Sequence, residues 1–161
     1  MITLFCTLLA GSISLMVWLI VGGFGLLFYI WQSVEFYWLL QRSNYRWPWL
    51  AWLPFFRYFA LAGAMDDGDG FTSIYLIGQR IQTDLFRFWP FVALLLSRVS
   101  RVGSLLEVLF TILCLGSSFT SVYSRLEGRD VNDVKVLGYL SGWIPLIGVI
   151  KITGYRHRQR Y

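Results

Sequence analysis

The chain has 161 residues, of which 57% are hydrophobic, 19% aromatic and only 14% charged. Soluble domains carry about 25% charged residues, so this composition excludes that class and points to a single integral membrane domain over residues 1–161. The net charge of +5 comes from fourteen cations and nine anions, and in a membrane chain such an excess marks the cytoplasmic flank of the spans rather than a nucleic-acid partner.

Residues 4–31 are the clearest predicted span, since crossing the hydrocarbon core takes roughly 20 apolar residues. Residues 1–3 lack the basic start of a signal peptide and the apolar run is too long for a cleaved one, so a retained first helix is expected. Ala10, Gly11, Ser12, Ser14 and the Gly22-Gly23-Phe24-Gly25 cluster are small residues that allow close helix approach in lipid. Residues 33–42 read as a continuation at the interface, where aromatic residues precede Arg42 and Arg46. Pro48 then turns the chain into a Trp-Leu-Pro segment over 47–65, which ends in the polar run Asp66-Asp67-Gly68-Asp69-Gly70. Residues 71–82 are expected to form a short interfacial helix. Residues 86–124 read as a helical pair, a short apolar stretch around Trp89-Pro90-Phe91 followed by a full span with Glu107 near its start. A charged loop over 125–135, a Trp-Ile-Pro segment over 136–155 and a basic tail over 156–161 complete the chain. Cys6 and Cys114 both sit in apolar runs and read as small buried hydrophobes, not as a disulfide framework.

Two segments echo one another. Trp52, Pro54, Leu61 and Gly63 match Trp143, Pro145, Ile152 and Gly154, and each copy holds one cation, Arg57 or Lys151. A proline and a charge inside an apolar run suit a broken, re-entrant or interfacial helix better than an ordinary span. The expected fold class is therefore all-α and polytopic, with about four membrane helices in a range of three to five, and short Trp-x-Pro helices beside them. If five segments cross from an outside N-terminus, eight cations fall inside and five outside. If both Trp-x-Pro segments turn back, only Arg98 and Arg101 remain outside and twelve cations fall inside, which fits the positive-inside tendency better.

The residues offer little catalytic chemistry. The one histidine, His157, lies between two arginines of the tail, and no zinc, haem, phosphate-loop or serine-nucleophile motif occurs, so no enzyme activity, metal or cofactor is expected. Laid on a calcium loop, the run at Asp66–Asp69 leaves Met65 and Leu76 at the outer ligand positions, and a solvated turn is the better reading. An enzyme acting on lipid would need that run and Asp84 around a metal. Charges at membrane depth are stronger candidates, because they are costly unless paired or hydrated. Arg57, Arg98, Arg101 and Glu107 form such a possible intramembrane polar cluster, with snorkelling to the interface as the alternative. Gly138 and Gly142, spaced Gly-x-x-x-Gly, are a candidate helix-packing face. Lys151, Arg156, Arg158 and Arg160 would attract anionic headgroups, each cation contributing about 1 kcal/mol near the surface.

The segment Ala51-Trp52-Leu53-Pro54-Phe55-Phe56, followed by Tyr58-Phe59-Ala60-Leu61-Ala62-Gly63, resembles one found in small bacterial polytopic membrane proteins of no known activity. The resemblance covers mainly residues 45–65 and implies a bacterial cytoplasmic membrane, with no site residues attached. The sequence thus leads to a small membrane interaction protein, an accessory subunit, assembly factor or immunity-type protein that packs against another membrane protein or itself. An oligomeric transporter or channel component with broken helices at the Trp-x-Pro segments is the alternative.

Overall fold

A computed structural model describes the backbone of residues 2–66, 69–98 and 101–158, with side chains at 14 and from 16 onward except at 101. The chain is mostly helical and divides into two compact units, residues 1–32 and 33–161. Helix α1, Ile2–Arg42, has 41 residues and contributes to both. The predicted span and its interfacial continuation are therefore one helix. It stops because Asn44 adopts a left-handed φ of 50°, which asparagine tolerates, and the Tyr45 N–H reaches back to the Leu40 carbonyl at 3.0 Å.

In the first unit α1 is the only described element, and its residues from Met16 to Leu27 are exposed. The second unit holds the core. A 3₁₀ turn, Pro48–Trp52, leads into α2, Phe56–Gly63. Strands β1, Phe71–Ile74, and β2, Gln79–Gln82, pair antiparallel, with Phe71 opposite Gln82 and Ile74 opposite Gln79. The short α3, Thr83–Phe86, and α4, Trp89–Ser97, precede the long α5, Arg101–Glu127. Helices α6, Val131–Trp143, and α7, Pro145–Arg158, complete the fold.

Two helical stretches are long and apolar enough to cross a membrane, Met16–Arg42 and Val102–Glu127, with mean hydropathies of 1.7 and 1.8. The hairpin corrects the helix expected over 71–82, and with it the all-helical expectation. Thr72, Ile74 and Ile81 are β-branched, Thr72 and Ile74 are buried on one face, and Gly78 supplies the positive φ of 71° that the turn requires. The loop expected through residue 135 is also shorter, since α6 begins at Val131. Gly128, at φ 61°, ends α5 with the Arg129 N–H bonded back to Ser124 O at 3.2 Å. Helix α7 carries through Arg158, so the tail expected from residue 156 is helical to that point.

Both Trp-x-Pro segments interrupt helices by the same device. Leu53 (φ −97°, ψ 126°) and Ile144 (φ −117°, ψ 92°) are extended, as a residue before proline is forced to be. Pro145 then starts α7 in the first turn, where its missing N–H costs nothing.

The core runs through Phe36, Leu39 and Leu40 of α1, Leu61 of α2, Phe119 and Tyr123 of α5 and Ile152 of α7. Phe119 lies 6.2 Å from the Phe36 ring and stacks on Tyr123 at 5.9 Å, and Tyr123 meets Tyr155 at 6.1 Å.

Candidate functional site

The tightest seam is where α6 lies on α5. A Cβ built on Gly142 would sit 2.6 Å from the Gly116 nitrogen and 3.0 Å from the Ile112 carbonyl oxygen. One on Gly138 would sit 2.0 Å from Thr120 Oγ1, and one on Gly116 2.4 Å from the Tyr139 ring. The small-residue face named from sequence is thus occupied within the chain. The Tyr123 hydroxyl and Ser141 Oγ share a buried hydrogen bond of 2.8 Å across the same seam, and Tyr139 and Ser117 share another of 2.8 Å. The Leu76 N–H donates to the Tyr139 hydroxyl at 2.9 Å, which ties the hairpin turn to the seam. On α5 itself, Ser117, Ser118 and Thr120 donate to the carbonyls of Leu113, Cys114 and Gly116 at 2.8, 3.0 and 2.8 Å.

Charged groups gather where α5 ends and α7 returns. Glu127 takes Lys151 Nζ at 3.0 Å, Arg129 at 3.6 Å and the Tyr155 hydroxyl. Glu35 of α1 is 2% exposed and accepts from Arg156 Nη1 at 3.2 Å through Oε1. Its Oε2 is buried with no partner among the described residues. Two of the cations assigned to lipid headgroups, Lys151 and Arg156, are therefore held by carboxylates of the protein. Arg158 is exposed, and Arg160 lies outside the described residues. Sequence reading missed Glu35. Its signal was a lone carboxylate inside a 41-residue apolar helix, which is costly unless a cation meets it.

The four residues of the expected polar cluster do not come together as ion pairs among the described residues. Arg57 is buried at 8% exposure and closes the Trp-Leu-Pro turn, with Nε donating to the Pro54 carbonyl at 3.2 Å and its guanidinium 5.1 Å from the Tyr58 ring centre. Arg98 is exposed, and the side chain of Arg101 lies outside the described residues. Glu107 lines a groove of about 280 Å³ with Tyr58, Trp89, Thr111, Trp143 and Pro145. The break in the second Trp-x-Pro segment and the start of α2 thus meet at one carboxylate. In that wall the Trp89 indole N–H is buried with no acceptor among the described residues.

The acidic run behaves as a turn where it is described. Asp66 accepts from the Gly70 N–H at 2.9 Å and Asp69 from the Phe71 N–H at 3.2 Å, while Asp69 also pairs with Arg80. The Arg80 guanidinium holds the Asp69 carboxyl below the usual carboxylate range. Asp67 and Gly68 lie outside the described residues, and no group of metal-ligating side chains occurs among those described. Compared with protein-family models, curated proteins and solved structures, the chain matches none.

Proposed function

We propose that this chain is a small integral membrane interaction protein, an accessory subunit, assembly factor or immunity-type protein that works by packing a helix against a membrane partner. One contrast among its glycines carries this reading. Gly116, Gly138, Gly142 and Gly148 are filled by neighbours inside the fold, whereas a Cβ built on Gly22, Gly23 or Gly25 meets nothing within 4 Å. These three lie among exposed apolar residues of α1, with Trp18 74% and Phe24 71% exposed. In lipid, small residues admit a second backbone closely enough for dispersion to hold two helices together, so an open glycine patch suits a partner helix.

The test is purification of the full chain from native membrane in mild detergent after crosslinking. The expected result is a stoichiometric partner that Gly22→Leu/Gly23→Leu loses while the unfolding midpoint does not fall below the wild-type value. A partner retained at wild-type yield by that variant refutes the packing reading.

We also propose a bacterial cytoplasmic membrane, which rests on the resemblance of residues 45–65, with the N-terminus outside, which rests on where the cations fall. Helix α6 has 13 residues, about 20 Å at 1.5 Å per residue, and falls short of a hydrocarbon core of about 30 Å. Its return through α7 suits a re-entrant hairpin with Trp143-Ile144-Pro145 at the tip. Arg42, Arg125 and Arg158 then share the inner side and Arg98 the outer, which the nine-residue α4 reaches only with Arg98 snorkelling to the interface, in keeping with the positive-inside tendency. Cysteine labelling in intact cells tests this, since Arg98→Cys should react with an impermeant reagent and Arg125→Cys should not. The reverse pattern would overturn the orientation. The transporter alternative draws its support from Glu107 in its groove beside the helix break. On that reading Glu107→Gln abolishes flux in proteoliposomes while insertion and assembly persist.

A further inference from the structure

We infer that the chain carries a binding site for a phosphate-bearing anionic headgroup in the arginine-lined groove between the end of α1 and the end of α5. Four separate stretches of sequence meet there. Arg46 comes from the loop after α1, Arg87 from the entry to α4 and Arg125 from the last turns of α5, and these line a groove of about 420 Å³ with Asn44, Tyr45, Trp47 and Gly63. Arg42 lines an adjoining groove of about 210 Å³ that shares Ser43, Ala64 and Arg125 with the first.

The balance of charge separates this place from the rest of the cationic end. Lys151, Arg129 and Arg156 are taken up by Glu127 and Glu35. Among the described residues of the lining the one carboxylate is Asp66, which accepts from the Gly70 N–H among its contacts, against the three arginines Arg46, Arg87 and Arg125. Arg87 leans on Asp84 at 3.1 Å, yet its Nε is buried without an acceptor among the described residues. Arg42 and Arg46 have no carboxylate partner among the described residues, and Arg46 lies 5.2 Å from the Trp47 ring centre. The described groove therefore holds an excess of guanidinium groups, whose planar forks can each donate two N–H bonds to a pair of oxygens of a phosphate.

The walls are built rather than loose. Arg125 donates to the carbonyls of Ala64, Met65 and Asp66 at 3.2, 3.0 and 2.5 Å, which fixes the end of α2 to α5. Gly63 leaves room for Arg87, since a Cβ there would sit 2.7 Å from Arg87 Nε and 2.9 Å from the Tyr45 ring. Burial pushes the Tyr45 phenol up against the opposing pull of Arg87, so it remains a hydroxyl donor at neutral pH. Trp47 and Tyr45 are the residue types that favour the headgroup level of a bilayer.

The experiment places the purified full chain in mixed micelles with equal amounts of phosphatidylglycerol and phosphatidylcholine and counts retained lipid by native mass spectrometry. Wild type is expected to retain phosphatidylglycerol preferentially. Arg42→Gln/Arg46→Gln, two exposed positions whose loss leaves the core intact, is expected to lower that preference by about an order of magnitude. Arg158→Gln, an exposed cation outside the groove, is expected to leave it unchanged. An equal fall in Arg158→Gln makes the effect one of net charge and overturns the site, as does an unchanged preference in the double variant. Adding inorganic phosphate at constant ionic strength distinguishes the source of the ligand. Displacement of the lipid identifies a site for free phosphate and its retention a site for the lipid headgroup, and both support recognition of the phosphate group here.

Discussion

Replacing Gly142 by alanine tests the α5–α6 seam with the smallest possible change. The added methyl would lie 2.6 Å from the Gly116 nitrogen, 2.8 Å from the Gly116 Cα and 3.0 Å from the Ile112 carbonyl oxygen. Carbon atoms prefer about 3.5–4.0 Å, and all three obstacles are backbone atoms that no rotamer change can remove. The two helices must separate by the better part of an ångström, which also stretches the 2.8 Å bonds at Tyr123–Ser141 and Tyr139–Ser117. Overpacking of this kind costs about 1–3 kcal/mol, and the upper end applies where backbone meets backbone. Alanine returns up to about 1 kcal/mol of helix propensity, so the expected net loss is about 1–2 kcal/mol. Gly22→Ala is the internal control, because a Cβ there meets nothing within 4 Å and only the propensity gain remains. Unfolding of the chain in mixed detergent micelles, followed by tryptophan fluorescence, gives the comparison. A Gly142→Ala midpoint equal to that of wild type, or a Gly22→Ala loss equal to that of Gly142→Ala, would refute the geometry.

Tyr123→Phe removes one buried hydroxyl while Ser141 keeps its bond to Leu137 O at 2.9 Å, so a loss of about 0.5–1.5 kcal/mol is expected, and a double-mutant cycle with Ser141→Ala should show the two changes to be non-additive. Glu35→Gln leaves Arg156 without its carboxylate. Breaking a fully buried pair costs about 3–5 kcal/mol, and the 27% exposure of Arg156 brings the expectation down to about 1–3 kcal/mol. Arg156→Gln added to Glu35→Gln should recover part of that loss, and a double variant weaker than the single one would count against the pair. For Asp69 the folded carboxyl is held below its ordinary range. Its contribution to the hairpin is present above that ordinary range and is lost as pH falls through the lowered value. An NMR titration of the Asp69 carboxyl should show this, and Arg80→Gln should return it to ordinary behaviour.

The features that could be read from sequence are those in which a single residue dictates its own backbone. Pro54 and Pro145 force Leu53 and Ile144 into extended conformations, so both helix breaks were visible before any coordinates. The spacing of Gly138 and Gly142 likewise marks one helical face, although the sequence could not say that the face is filled by Gly116 and Thr120. The hairpin was hidden because Ile74, Tyr75, Leu76 and Ile77 form an unbroken apolar run, in which a turn looks like part of a helix. The left-handed Gly78 and the β-branched Thr72, Ile74 and Ile81 were the signals against it. The Glu35–Arg156 and Glu127–Lys151 pairs span 121 and 24 positions, and no local pattern reports a partner that far along the chain. Reading 156–161 as a free tail followed from that blindness.

If α5 crosses a membrane as proposed, its hydroxyl groups have a consequence for how the chain is put together during synthesis. Ser117, Ser118 and Thr120 bind carbonyls of their own helix, so the polar half of α5 brings its hydrogen-bond partners with it. Such a helix would enter lipid with these three hydroxyls satisfied while residues 131–158 are still being made, and the Tyr123 hydroxyl would wait for Ser141 of α6. The apolar residues Leu105, Leu106 and Leu109 of its first half stay turned to the surroundings. When α6 packs on it, Tyr139 meets Ser117 Oγ, already held by the Leu113 carbonyl, Ser141 supplies the partner of the Tyr123 hydroxyl, and Gly138 and Gly142 close on Thr120 and Gly116.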